Sequence, residues 1–542
     1  MHGRVRAAFM RGGTSKGLFF REKDLPKDAA LRDSIICQAM GSPDVYGRQL
    51  NGMGGGLSSL SKVMILSTPP KASRRSRKVA HVAKCAEVHY SFGQVDVASK
   101  TIEWNGNCGN LTTCIGPLAV DWQLVPRQTT WNKATRVMEK HGSAGPLDFP
   151  GNRAARIHSS STCRQGWHVL NHGQPVPIDL LLKNTNTGKF ITSRFHVAQH
   201  RDGMYYSTPH PAQDERDGST QDCSNTTPNG PAGADSGTPS GQERTDETVT
   251  IPGVDQRHLP VELEFAEPAG AVTGRLLPTG NACDTLQIEG MGSVVCSIVD
   301  ATTPCVFVRA SDLGLTATEL PNALEARIRE LELLERVRIA ARDTMGIASA
   351  SSSVPKVAIV GTSAAADSLA KGQGMSHDEM DIHVRMLSMG KPHKAIPLTG
   401  GMCAAVAAVV PGSIIAEFIH DDSVSAKTAP ELKGDAATSP EKKQTVRIGT
   451  PSGVVEFTVR SSIMDKPSPK VASNRTTEET RGKQSLWKGA KVDAEGVQLD
   501  STAQELSEDE KYQRDGIKYG LIVHSVGVIR TQRMLMDGRL YF

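Results

Sequence analysis

The chain has 542 residues, too many for one ordinary hydrophobic core, so two or three domains are expected. A formal net charge of +4 and an aromatic content of 4% exclude the basic face and the base-stacking platforms of a nucleic-acid binder. The ten cysteines are scattered, with no CxxC and no Cys/His set at zinc spacing, which argues against a structural metal or a disulfide framework.

The chain opens with "RVRAAFMRGG" and "KGLFF", two short strands around a turn, and shows no apolar signal segment, so a soluble, cytoplasmic protein is expected. A glycine-rich stretch, "NGMGGGLSSLSKVMIL" (Asn51 to Leu66), leads into a strand that begins at Lys62. "AEVHYSF" and "VDVAS" read as further strands. "WNGNCGNLTTCIGPLAV" is a Gly/Asn turn running into an apolar helix. Residues 208–248 are polar and rich in Pro, Gly and Ser, and 422–443 and 464–515 are similar, so all three read as insertions too polar to order themselves. "PCVFVRA", "KVAIVG", "TVRIGT" and "VVEFTVR" read as strands. Glu319 to Gly346 reads as one amphipathic helix, with Leu324, Ile328, Leu331, Val337 and Ala341 on one face, Pro321 in its first turn and Gly346 at its cap. "MCAAVAAVVPGSIIAEFI" is cut by Pro411 and Gly412, so it reads as a helix followed by a strand and not as a membrane span. The pattern is a strand-rich mixed fold, not a parallel βαβ array.

A faint internal repeat aligns Asn107–Val120 with Ile396–Val409, placing Cys114 opposite Cys403 and Cys108 opposite Pro397. Two related halves could then face each other across a cleft.

Three constellations carry chemistry. Cys108 is flanked by Asn107, Gly109 and Asn110 just before a helix; free N–H groups there favour a thiolate or a bound carboxylate, and a packed cysteine in a tight turn fits the same spacing. Lys62 follows Ser58, Ser59 and Ser61 after a glycine-rich approach; enclosed in a cleft it would lose solvation and serve as a base, whereas on a surface loop it would be an ordinary solvated lysine. No GxxxxGK[ST] is present and the glycine spacing does not fit a dinucleotide site. "FMRGGTSKGLFF" places Arg11, Thr14 and Ser15 in a turn that suits a carboxylate and equally suits a charged hairpin. Ser388, His393, Thr399 and Ser452 in the second half are further candidate donors.

Together "FMRGGTSKGLFF", "NGMGGGLSSLSKV", "GNCGNL", "LLPTGNACDTL", "VDATTPCVFVRASDLGLT", "VPKVAIV", "VRMLSMGKPHKA" and "TPSGV", in this order, resemble the PrpF family of isomerases. The resemblance implies an α+β, diaminopimelate epimerase-like fold: two pseudo-symmetric domains, each a β-sheet or barrel wrapped round a central helix. The halves are expected at 1–195, with an insert at about 159–183, and at 196–542, with a last strand at about 534–542 returning to the first. It also implies a cofactor-independent isomerase of aconitate-type di- or tricarboxylates, with no metal, no nucleic acid and no membrane partner; a homodimer stays open.

Lys62 and Cys108 match the family's lysine and cysteine and are carried over as the proton-transfer pair, in either order. Arg11, Thr14, Ser15, Asn107, Gly109, Asn110, Ser388, Thr399 and Gly400 are the expected substrate contacts. Epimerases of this fold use a second cysteine, where this chain has Pro397 or, by a shifted alignment, Leu398, and Thr450 stands where many members have histidine. The insertions point to a fungal member. The rival readings are a non-catalytic carboxylate-binding protein and an amino-acid epimerase; solvent-deuterium exchange separates them.

Overall fold

The computed structural model describes residues 3–69, 86–104, 106–140, 175–199, 204–207, 248–348, 353–362, 379–419, 440–463 and 520–542. The three polar stretches at 208–248, 422–443 and 464–515 lie outside these residues except at their edges, as do Cys85, Cys163 and Cys223.

In chain order the first half forms β1 (Arg4–Gly12), β2 (Ser15–Arg21), α1 (Ala29–Met40), β3 (Lys62–Ser67), β4 (Val88–Val95), β5 (Ile102–Glu103), α2 (Gly109–Thr112), α3 (Ile115–Asp121), α4 (Arg127–Lys140), β6 (Val176–Asn184), β7 (Phe190–Gln199) and β8 (Tyr205–Tyr206). A small hairpin follows, β9 (Val249–Ile251) and β10 (Val254–His258). The second half forms β11 (Pro260–Ala266), β12 (Asp284–Ile288), β13 (Gly292–Ala301), β14 (Thr303–Arg309), α5 (Pro321–Glu325), α6 (Ile328–Thr344), β15 (Lys356–Thr362), β16 (Ile382–Ser388), β17 (Lys391–Pro392), α7 (Leu398–Ala408), β18 (Lys442–Thr450), β19 (Gly453–Ile463) and β20 (Leu521–Tyr541).

Strand pairing closes two rings. The first runs β1-β2-β3-β4-β6-β7-β11-β20 and back to β1, with β2–β3 and β4–β6 parallel and the rest antiparallel. The second runs β13-β14-β15-β16-β18-β19-β20-β11, with β14–β15 and β16–β18 parallel, and closes through a bridge from Ala269 to Ala301. Closure leaves no open edge in either ring. The 21-residue β20 serves both: Leu521–Gly527 pair with β19, and Gln532–Tyr541 pair with β1. This is the expected α+β architecture, and the returning last strand starts well before 534.

Each ring encloses an apolar helix. α3 packs against β4, β6, β7 and β8, and α7 packs against β13, β14, β18, β19 and β20. All eleven residues of α7 are buried, and its Gly400, Gly401, Ala404, Ala405, Ala407 and Ala408 keep it thin enough for strands to wrap it. The helix expected after Cys108 breaks after one turn. Pro117 in α3 has no N–H for the Thr113 carbonyl and its ring crowds that group, so the chain restarts at Cys114.

Three local expectations are corrected. The residues "VDVAS" make a turn after Val95, because the Asp96 carboxylate accepts the amides of Ala98 and Ser99 at 2.8 and 2.7 Å. The long helix splits at Ala326–Arg327 into α5 and α6, leaving Ile328 exposed while Leu324, Val337 and Ala341 stay buried. The strand expected after α7 is a turn with a 3₁₀ segment at Ala416–Phe418. Ser413 Oγ donates to the Ala407 carbonyl at 2.6 Å and accepts the Ala416 amide at 3.1 Å, closing the helix end. The insert expected at 159–183 overlaps β6, whose Ile178, Leu180 and Leu182 alternate into the core. The boundary read at 195/196 falls inside β7.

Among the described residues, no helix is long and apolar enough to cross a membrane. Gly17 sets the spacing of β2 against β3 and α2: a Cβ there would lie 2.6 Å from the Lys62 carbonyl oxygen and 2.8 Å from Leu111 Cδ1. Gly17→Ala is expected to cost about 1–3 kcal/mol, read as a lowered urea midpoint at unchanged slope; wild-type stability would contradict this packing.

Candidate functional site

The starts of β3 and β15 and of α2 and α7 converge on one cavity with about 570 Å³ of empty space, part of it open to solvent. Its lining draws on both halves: Ser15, Ser58, Lys62, Gln94 and Asn107–Asn110 from the first, Thr303, Ser353, Lys356, Ser388, His393 and Pro397–Thr399 from the second.

Lys62 is the first residue of β3, and its Nζ donates to Gln94 Oε1 at 2.6 Å. Gln94 is in turn fixed by donating from Nε2 to the Ser61 carbonyl at 2.9 Å. Burial lowers the Lys62 pKa below its ordinary 10.5, and the electrostatic effect of nearby Cys108 acts in the opposite sense. Cys108 is the N-cap of α2 and only 8% exposed. The Cys108 carbonyl accepts Thr112 Oγ1 at 3.0 Å, and Asn107 Oδ1 accepts both Thr112 Oγ1 and the Tyr90 hydroxyl at 3.1 Å, which locks the segment carrying the thiol. Burial raises the Tyr90 hydroxyl pKa, so Tyr90 stays a neutral donor.

Across the cavity, burial and then repulsion by Lys62 bring Lys356 down to about 8. Burial, then Lys62 and Lys356, push His393 down to about 3, so its imidazole is neutral; its Nδ1 accepts the Ala395 amide at 3.1 Å. Pro397 is the N-cap of α7, as Cys108 is of α2, so the repeat read in the sequence holds at both helix starts.

Of the expected site residues, Lys62, Cys108, Ser15, Asn107, Gly109, Asn110, Ser388 and Thr399 all line this cavity. Arg11, Thr14 and Gly400 do not. Arg11 Nη1 turns back to the Gly13 carbonyl, the Thr531 carbonyl and Thr531 Oγ1 at 3.0–3.1 Å, which braces the turn, while its Nη2 is buried without a hydrogen-bond partner among the described residues. Thr14 Oγ1 accepts Asn110 Nδ2 at 3.2 Å, which makes it a support for Asn110. Gly400 is a packing glycine: a Cβ would run into the Met386 sulfur. Ser452 is likewise away from the lining, with its Oγ 3.3 Å from Thr450 Oγ1.

Sequence reading missed Lys356, Gln94 and Thr303. The signal for Lys356 was present in "SKVMIL" and "PKVAIV", whose lysines each open a strand, but the repeat was aligned only around the two helix starts. Among the described residues, no group of three or more His, Cys, Asp or Glu could hold a metal ion.

Comparison with known proteins gives one consistent picture. The profile described as "PrpF protein" matches residues 2–141 and 225–481. The 2-methyl-aconitate isomerase of Shewanella oneidensis (strain ATCC 700550 / JCM 31522 / CIP 106686 / LMG 19005 / NCIMB 14063 / MR-1) is 29% identical, over 85% of this chain and 94% of that protein. The 3-methylitaconate isomerase of Eubacterium barkeri is 28% identical, over 87% of this chain and 94% of that one. The crystal structure of a methylitaconate-delta-isomerase shares the fold, with a TM-score of 0.53 at 24% identity over 100% of this chain and 96% of its own.

The Lys62–Gln94 bond carries a test of the site's geometry. Gln94→Leu removes the acceptor that aims Lys62 and should lower kcat by about tenfold or more with the circular dichroism spectrum unchanged. Undiminished turnover would show that Gln94 does not position the amine.

Proposed function

This chain belongs to the PrpF family and is an isomerase, and on that premise we propose that it moves or resets the C=C bond of an aconitate-type unsaturated polycarboxylate by proton transfer between Lys62 and Cys108. The observation that carries this reading is that both side chains line one cavity.

In an acid of this kind the C–H bond next to the C=C and a carboxylate is weakly acidic. Neutral Lys62 Nζ takes that proton, and the C–H electron pair spreads through the C=C into the carboxylate as a dienolate. Cys108 then gives its thiol proton to the far carbon of the allylic unit, which moves the double bond. Return of a proton to the original carbon after rotation resets the geometry instead. The excess proton on the ammonium passes to the thiolate through solvent, and the cycle closes with no net change in composition. The roles of the two residues can be exchanged without altering this balance. The scheme draws only on the chain's own side chains.

Two features support the assignment. Burial favours the uncharged amine, which is the form a base needs near neutral pH. Ser15, Asn107, Asn110, Ser388 and Thr399, with the free N–H groups at the start of the eleven-residue α7, offer fixed donors for carboxylates and for the developing negative charge. The epimerase alternative lacks its second thiol, because Pro397 occupies that place.

Proton NMR in D₂O with cis-aconitate, trans-aconitate, 2-methylaconitate and methylitaconate tests the reading. Deuterium entry with a moved or reset double bond is expected for at least one acid; binding of all four without exchange would reduce the protein to a carboxylate binder. Lys62→Ala and Cys108→Ala should each cut turnover by roughly 10²–10⁴-fold or more in a folded protein, and full activity in either removes its role. Because the working form of Lys62 is the neutral amine, kcat/KM should rise with pH through a value below 10.5, and Lys62→Ala should erase that limb.

A further inference from the structure

The two rings carry matching residues at matching places. Lys62, first in β3, lies opposite Gly17, the third residue of β2; Lys356, first in β15, lies opposite Cys305, the third residue of β14. Across the next pairing Lys62 faces Gln94, and the β15–β16 register continued by two residues brings Lys356 to Ser388. Ser15 and Thr303, which open β2 and β14, both line the cavity. The symmetry fails at the helix caps, where Cys108 faces Pro397. The cavity therefore has an amine on each side and a thiol on one.

The two amines are held differently. Lys62 is fixed by the Gln94 side chain at 2.6 Å. Lys356 donates to the Ser353 carbonyl at 3.0 Å, and its stem crosses Gly400, where an added Cβ would lie 3.5 Å from Lys356 Cδ. No Asp or Glu is among the described residues lining the cavity. His393 contributes no charge near neutral pH. The one carboxylate among the described residues acting on Lys356, that of Glu103, is outside the cavity lining and is outweighed by burial; a buried cation so weakly compensated is costly, and an entering anion relieves that cost.

We propose that Lys356 is the substrate-anchoring cation of the α7 side: its ammonium pairs with one carboxylate of a polyanionic substrate, opposite the side where Cys108 and Lys62 move the proton. This rests on the isomerase reading above and deepens it, because it assigns the two amines different work. A substrate with one carboxylate leaves Lys356 unpaired, so the site selects acids carrying at least two.

The charged and titratable groups facing Lys356 are Lys62 at the start of β3, Cys108 at the α2 cap, Cys305 in β14, Glu103 in β5 and His393 beyond β17. With Lys356 brought to about 8 in the free protein, its ammonium is present below that pH and lost above it. Anion affinity should hold between neutral pH and about pH 8, where the carboxylates are ionised and Lys356 is charged, and fall above it.

Calorimetric titration of the full chain with propane-1,2,3-tricarboxylate, which has no double bond to isomerise, tests the anchor apart from turnover. Lys356→Met should weaken binding by about 100-fold, and Lys356→Arg should keep it within about tenfold while abolishing the fall above pH 8. Butanoate should bind poorly to all three proteins. In the deuterium assay, Lys356→Met should raise KM far more than it lowers kcat. Unchanged tricarboxylate affinity in Lys356→Met overturns the proposal, as does failure of the wild type to bind the tricarboxylate. Normal affinity with lost exchange also overturns it, by making Lys356 a proton-transfer group. Lysine-dependent binding with no acid turned over would leave the anchor standing and sink the isomerase reading alone.

Discussion

The site depends on the close approach of two helix starts. Gly109 has no side chain, and a Cβ there would sit 3.2 Å from the Cβ and Cδ2 of Leu398. Because Gly109 opens α2 and Leu398 opens α7, this contact brings the caps Cys108 and Pro397 to the same cavity. A larger residue would push the two helix starts apart and part the two halves of the cavity lining, Asn107–Asn110 from Pro397–Thr399.

Closed strand rings make that approach rigid. Each ring has no free edge and encloses an apolar helix, so a helix start can shift only if its ring deforms. Sharing β11 and β20 ties the two rings together along their length. At the mouth of the second ring, Thr302 adopts a left-handed φ of 62°, unusual for a β-branched residue, and its Oγ1 donates to the Thr399 carbonyl at 2.7 Å. The corresponding turn of the first ring uses Gly13, at φ 50°. The two turns differ in length, two residues between Gly12 and Ser15 against one between Ala301 and Thr303, and one meets its left-handed position with glycine, the other with a hydrogen-bonded threonine.

Burial then sorts the titratable groups. The cavity holds two lysines, a neutral histidine and a thiol, without an acidic side chain among its described lining residues. Enclosure lowers both amines and the imidazole, because each is charged only in its protonated form. Cys114 and Cys403, the pair the repeat aligns one helical step deeper, are fully buried and raised, so their thiols stay protonated and act as core residues. The same residue type thus has different surroundings six residues apart, Cys108 at the cavity and Cys114 in the ring interior.

Much of this was legible in the chain itself. Alternating apolar residues marked most strands, the Gly/Asn turn marked the α2 cap, and the motif order marked the family. Lys62 and Cys108 stood out because a lysine opening a strand after serines and a cysteine before a helix are local patterns. Lys356, Gln94 and Thr303 did not, since each is unremarkable until strand pairing places it at the cavity. Arg11 shows the same limit: its turn looks like a carboxylate site, but it is outside the cavity lining and its Nη1 is held by Thr531, more than 500 residues away. The sequence by itself determined most element types and the two-half pattern, because these follow from the spacing of neighbours along the chain. Only the tertiary structure decided which side chains face the cavity, because that depends on registers between strands hundreds of residues apart, and a shift of one residue turns a side chain to the opposite face.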